Sequence, residues 1–190
     1  MRLCRSIVII LGLFGAVNLA SPSPRQVQSF YRPDRAPQQK LSPKRLADLE
    51  KQMWAIVNRD RLDPATFAET RGRAEPLKWN DRLAAVARAH SRKMIKQQFF
   101  NHVDPDGKTP LDRINKAGIL WQAYGENIAL HETVKGAQAA FMSEPRFKKN
   151  HRSNILNTMY TEVGIGIAQA PNGSLYITQD FIKVPASSED

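Results

Sequence analysis

With 190 residues and 42% hydrophobic side chains, the chain can bury one sizeable core but is too short for two ordinary domains. A single cysteine, Cys4, excludes a disulfide framework. A formal charge of +10 favours polyanions, whether membrane headgroups, cell-wall polymers or nucleic acid, and equally suits a basic surface that only keeps the protein soluble.

Arg2 and Arg5 precede an apolar run at residues 7–19 that is short for a membrane span, so residues 1–20 read as a secretory signal peptide. Cleavage after Ala20 would leave Asn18 at the third-last position, which is not the small-residue ideal. Cys4 lies before the apolar run, whereas a lipid anchor would need a cysteine after it. Removal of the segment leaves a mature chain without thiols or a transmembrane span, in which 26 basic side chains face 18 acidic ones, a net +8. The expected location is secreted or periplasmic, in the cell envelope. Export makes nucleic acid the least expected partner and leaves an anionic lipid or another envelope ligand.

Residues 21–41 are rich in Pro, Gln and Arg and poor in aliphatics, the composition of a flexible leader that cannot offset its ordering entropy. Folded structure is expected over residues 42–183. Ser42 and Pro43 supply an N-cap and first helical position, and Leu46, Leu49, Met53, Ile56 and Val57 recur at helical spacing. That helix stops before Pro64. Asn80 can cap a second helix carrying Leu83, Val86, Ala87, His90 and Met94 on one stripe. The run Asp104-Pro105-Asp106-Gly107 is a turn, residues 110–117 form a short helix stopped by Gly118, and residues 133–142 form a third main helix ended by Pro145. One or two further turns follow at residues 151–156.

The period then changes. Val163, Ile165 and Ile167 alternate with small residues, Asn172-Gly173 is a tight-turn pair, and residues 175–182 are β-prone, so the chain closes on a β-hairpin before a polar tail at 184–190. The elements are those of a mixed, α+β domain, expected to be monomeric.

Four clusters carry candidate chemistry: Phe99-Phe100-Asn101-His102, Gly125-Glu126-Asn127, Phe141-Met142-Ser143-Glu144 and His151-Arg152-Ser153-Asn154. Each brings one imidazole or carboxylate. Joined by the fold, His102, Glu126, Glu144 and His151 would make a polar pocket able to hold a divalent metal or activate a water. Two neutral imidazoles, His102 and His151, suit zinc or a similar metal as ligands, with carboxylates completing the site or acting as base. Glu126 stands in an otherwise apolar segment, where a carboxylate is costly unless paired or ligating. His90, on an apolar stripe, reads as a packing residue. His131-Glu132 begins a zinc-protease pattern that fails because Lys135 stands where the second His belongs.

The order of these clusters, completed by Thr161-Glu162-Val163-Gly164-Ile165-Gly166 and Thr178-Gln179-Asp180-Phe181, resembles the CAP superfamily, or SCP domain, over residues 46–183. The lack of cysteines in the expected mature chain places the resemblance with the bacterial branch. It implies an α/β/α sandwich with a small antiparallel sheet between helical layers, and a cavity holding His102, Glu126 and His151. Glu144 joins them by analogy with eukaryotic members, which carry Glu three residues after an aromatic. The stretch from Pro64 to Glu75 and the run Arg146-Phe147-Lys148-Lys149-Asn150 are longer than the resemblance implies. The family has no single accepted reaction. The resemblance therefore implies a non-catalytic ligand-binding module, with a metal-assisted hydrolase of peptides or cell wall, and an interaction module with a vestigial cavity, as alternatives.

Overall fold

The computed structural model describes residues 9–12 and 39–185. Most of the expected signal peptide, its cleavage site, the leader through residue 38 and the tail from residue 186 lie outside the described residues.

Strand β1 (Ile9–Gly12) comes first, followed by helix α1 (Pro43–Leu62). The Ser42 hydroxyl accepts from Arg45 N (3.1 Å), and Pro43 pre-sets the first turn. A 3-10 turn at Pro64–Thr66 and the single-turn α2 (Phe67–Thr70) follow. Then come β2 (Lys78–Trp79), α3 (Asp81–Lys96), α4 (Pro110–Lys116), β3 (Ala123–His131), α5 (Val134–Met142), α6 (His151–Leu156), β4 (Glu162–Gln169) and β5 (Leu175–Lys183).

The five strands form one sheet in the order β1-β3-β5-β4-β2. Strands β4 and β5 make the expected hairpin, with Gly173 at φ 87° in its turn, where a side chain would be strained. β3 pairs antiparallel with β5 from Ala123 opposite Lys183 to His131 opposite Leu175. The departure from an all-antiparallel sheet is β2, which runs parallel to β4 for two residues. Its reason is local. Asn80 N donates to Val163 O while its side chain accepts from Leu83 N, so the strand turns at once into α3. β1, from the segment read as a signal peptide, pairs antiparallel with β3 from Leu130 to Asn127.

Alternation along the strands divides the core into two layers. One sheet face carries Ala129, Val163, Ile165, Ile167, Ile177 and Phe181, packed with Met53 and Val57 of α1, Ala137 and Phe141 of α5 and Ile155 of α6. The opposite face carries Ile128 with Met94 of α3, and Ile182 with Leu83 of α3 and Ile114 of α4. This α/β/α arrangement depends on Gly164 and Gly166, because a Cβ at either would meet the α3 backbone at Leu83–Ala84 or Ala87–Arg88. Beyond its short pairing with β2, β4 is an edge. Buried Glu50 of α1 blunts it, accepting from Ile167 N (3.0 Å) and from Arg88 Nε (2.8 and 2.9 Å). No helix among the described residues is long and apolar enough to cross a membrane.

Candidate functional site

Strand β3 carries the centre of the site, because consecutive residues on it point to opposite faces. Glu126 faces the α3/α4 layer and Asn127 faces the α1/α5/α6 layer. Both are fully buried.

On the first face, His102 Nδ1 donates to Glu126 Oε1 (2.6 Å), and Arg113 Nη2 of α4 donates to Glu126 Oε2 (2.6 Å). Arg113 Nη1 also donates to the carbonyls of His102 (2.8 Å) and Lys108 (3.0 Å), so the same guanidinium fixes the loop that presents the imidazole. The Thr109 and Asp112 capping box starts α4 and aims Arg113 inward. Burial alone would raise the Glu126 pKa, but the His102 hydrogen bond and the Arg113 charge outweigh it and hold the carboxyl below the usual range.

Asp180 lies directly opposite Glu126 on β5 and shares its face. It is buried, and among the described residues neither of its oxygens has a partner in normal hydrogen-bond geometry. Burial, and next the charge of Glu126, push its carboxyl well above the usual carboxylate range against the pull of Arg113. Two carboxylates thus face one guanidinium, and the surroundings favour ionisation of Glu126 over Asp180. His90 is close enough to feel Glu126, Arg113 and His102, and burial lowers its pKa to about 4. Its Nε2 donates to Asn101 O (3.0 Å) and its ring meets the edge of Phe99, the packing role read from its stripe.

A stability prediction follows. A folded pKa raised above the unfolded value gives stabilisation that is complete below the unfolded pKa, about 3.9 for Asp, and is lost as pH rises through the folded pKa. Asp180→Asn, which keeps the shape of the neutral acid, should therefore gain on wild type as pH rises from 5 to 9. Urea unfolding across that range measures the gain, and a difference independent of pH would refute the raised pKa of Asp180.

On the second face, His151 opens α6 and stacks on Phe141 of α5 with ring centroids 4.9 Å apart. Its Nδ1 donates to Glu144 Oε1 (2.8 Å), while Glu144 Oε2 accepts from the His151 backbone N (2.8 Å). Glu144 thus caps the α6 terminus and orients the imidazole together. Burial opposes ionisation of Glu144, but the His151 hydrogen bond and charge lower its pKa. The far end of α6 is tied by buried Arg61, which donates to the carbonyls of Ile155 (2.6 Å) and Asn157 (2.9 Å).

Amides join the two faces. Asn154 Nδ2 donates to Asn127 Oδ1 (2.8 Å) and Glu126 O (3.3 Å), and Asn127 Nδ2 donates to His151 O (3.2 Å) and Gln179 Oε1 (3.0 Å). The relay continues through Gln179 and Gln138 to Asp60. Asn127 and Asn154 therefore tie segments together.

The four sequence-predicted residues come as two imidazole–carboxylate pairs, His102 with Glu126 and His151 with Glu144, on either side of β3. Among the described residues no group of three or more His, Cys, Asp or Glu is arranged to hold a metal ion. Each Nδ1 is oriented by a carboxylate, as in the second shell of many metal sites, yet two imidazoles fall short of the three or four protein ligands of zinc centres. Sequence reasoning missed Arg113 and Asp180. Asp180 did carry a signal, since in the β5 alternation it occupies an inward position with Thr178 and Ile182.

Residues 54–181 match the family described as the cysteine-rich secretory protein family, CAP. The chain belongs to the CAP family. YkwD of Bacillus subtilis strain 168 is 31% identical over 142 residues, 74% of this chain and 49% of that protein. The membrane protein YlbC of the same strain is 29% identical over 75% of this chain and 39% of its own length. The chain thus spans about half or less of the curated relatives it matches. Among solved structures, an extracellular SCP-domain protein from Bacillus anthracis aligns with a TM-score of 0.60 at 26% identity, over 77% of this chain and 45% of that one. An outer surface protein from Borrelia burgdorferi aligns with a TM-score of 0.62 over 77% of this chain and 98% of that one; at 18% identity it speaks for the CAP fold alone.

Proposed function

We propose that this chain is an exported CAP-domain module that binds a ligand beside its His102–Glu126 and Glu144–His151 pairs and has no turnover of its own. The observation that supports the non-catalytic reading is the state of the two carboxylates. A general base works best with a pKa near the operating pH and a lone pair within reach of the substrate. Both oxygens of Glu126 are taken by His102 and Arg113, and both oxygens of Glu144 by the ring and backbone of His151. Both carboxyls are held below their usual range. They orient imidazoles and are poor proton acceptors at neutral pH.

Export is supported by Arg2, Arg5 and the apolar run, and by the extracellular description of the Bacillus anthracis relative. Loss of the segment holding β1 would open the β3 edge from Asn127 to Leu130 to the envelope ligand. Intact-mass analysis of envelope material retaining Cys4 would refute cleavage.

The functional test combines native mass spectrometry of protein purified from its own envelope with casein and peptidoglycan turnover assays, each run with and without added zinc. The expected result is a co-purifying ligand, lost on His102→Ala or His151→Ala, and no turnover in either assay. Zinc-dependent turnover that disappears in His151→Ala, with circular dichroism unchanged, would replace this reading with the metal-assisted hydrolase. An empty protein that binds envelope partners equally well without either imidazole would favour the interaction module.

A further inference from the structure

The two stretches longer than the family resemblance implies, residues 64–75 and 146–150, are bolted together at the surface. Glu69 accepts from Arg146 Nε (2.9 Å) and from Arg152 Nε (2.9 Å) and Nη2 (2.6 Å), while Arg146 Nη2 donates to Ala65 O (2.9 Å). Each stretch presents an aromatic side chain to solvent, Phe67 at 64% exposure and Phe147 at 73%. Phe147 also sits at φ 59°, a left-handed conformation that a bulky residue adopts only at a cost. The backbone is thus strained at a residue whose ring is not buried, which packing does not explain. A pocket of about 320 Å³ opens alongside, lined by Glu69, Phe147, Lys148, Lys149, Ser153 and Leu156, among others.

The charge around these rings is one-sided. Arg71, Arg73, Arg146, Lys148, Lys149 and Arg152 supply six cations against the three carboxylates of Asp63, Glu69 and Glu75 within residues 62–75 and 146–152. Glu69 is already shared by two arginines, and Asp63 caps the 3-10 turn through Ala65 N (2.8 Å). Protruding aromatics ringed by cations are the complement of a bilayer surface, where rings enter the headgroup boundary and basic side chains meet anionic lipid.

We propose that this paired surface docks the protein on membranes containing anionic phospholipid, with Phe67 and Phe147 entering the interface and Lys148, Lys149, Arg71 and Arg73 meeting headgroups. The docking surface adjoins the Glu144–His151 pair through Arg152, whose N donates to Glu144 Oε2 (3.4 Å), but it uses none of the four His and Glu side chains, so vesicle binding by the Lys148, Lys149 and Phe147 variants tests it apart from the ligand reading above.

Co-sedimentation of the full chain with phosphatidylglycerol/phosphatidylcholine vesicles tests it. Wild type should partition onto these vesicles, release as salt rises, and ignore pure phosphatidylcholine. Lys148→Ala with Lys149→Ala should weaken partition roughly 30-fold, at about one kcal/mol per lysine near an anionic surface. Adding Phe147→Ala should weaken it further with unchanged thermal unfolding. Equal binding to neutral vesicles, wild-type partition by the triple variant, or retention on purified cell-wall sacculi in place of vesicles would overturn the proposal. The first and third of these readouts need no variant.

Discussion

Arg113→Met should destabilise the protein by about 3–5 kcal/mol, the cost of leaving a buried charge without its partner. The guanidinium is bonded to Glu126 Oε2 at 2.6 Å, and the Glu126 side chain is 0% exposed. Methionine keeps much of the aliphatic volume, so the loss isolates the charge and the two carbonyl contacts. Combining Arg113→Met with Glu126→Gln should recover part of the loss, because the unpaired charge then disappears. Urea unfolding of the four members of this double-mutant cycle measures the coupling. Strict additivity would show that Arg113 acts on stability through the His102 loop alone.

Gly166→Ala should cost about 3 kcal/mol or more, at or above the upper end of the overpacking range. Its Cβ would meet the backbone of Ala87 and Arg88, and backbone cannot rotate away as a side chain can. Gly164→Ala meets Leu83 and Ala84 in the same way. The contrast is Gly136 in α5, where the obstructing group is the partly exposed imidazole of His131. Gly136→Ala should be milder, since the ring can swing aside at the loss of its bond from Thr133 N (3.0 Å) and alanine favours the helix by about 1 kcal/mol. Thermal unfolding of the three variants orders them, and equal losses would show that α3 does not depend on close approach to β4. Because α3 and α4 form the layer over Glu126, the Gly164 and Gly166 losses also report on the site.

The caps and the last turn made much of the fold legible in sequence. Ser42-Pro43, Asn80 and Thr133 each stand where a helix begins, and Asn172-Gly173 stands between β4 and β5. Strand β3 was not legible as a strand. Ile128, Ala129 and Leu130 are apolar, but Glu126 and Asn127 precede them, and both faces of the strand are buried at its centre, so no simple inside–outside alternation survives. The clusters holding His102, Glu126, Glu144 and His151 could be picked out, yet their partition between two faces of β3 could not. That partition depends on the pairing register, which spacing along the chain does not encode. Arg113 was invisible for another reason. On a seven-residue helix rich in charge it looks solvated, and only the fold turns it toward a buried carboxylate.

The account rests on Glu126 being an ionised, fully engaged carboxylate that orients His102 and is not a base. A pH titration of the Glu126 side-chain carboxyl by 13C NMR on the intact chain tests this most directly. The account predicts that the resonance stays in its ionised position from pH 8 down through pH 5 and titrates below about 4.3, the ordinary value for glutamate. A midpoint at about 6 to 7, the range in which enzymes poise a glutamate for proton transfer, would contradict it.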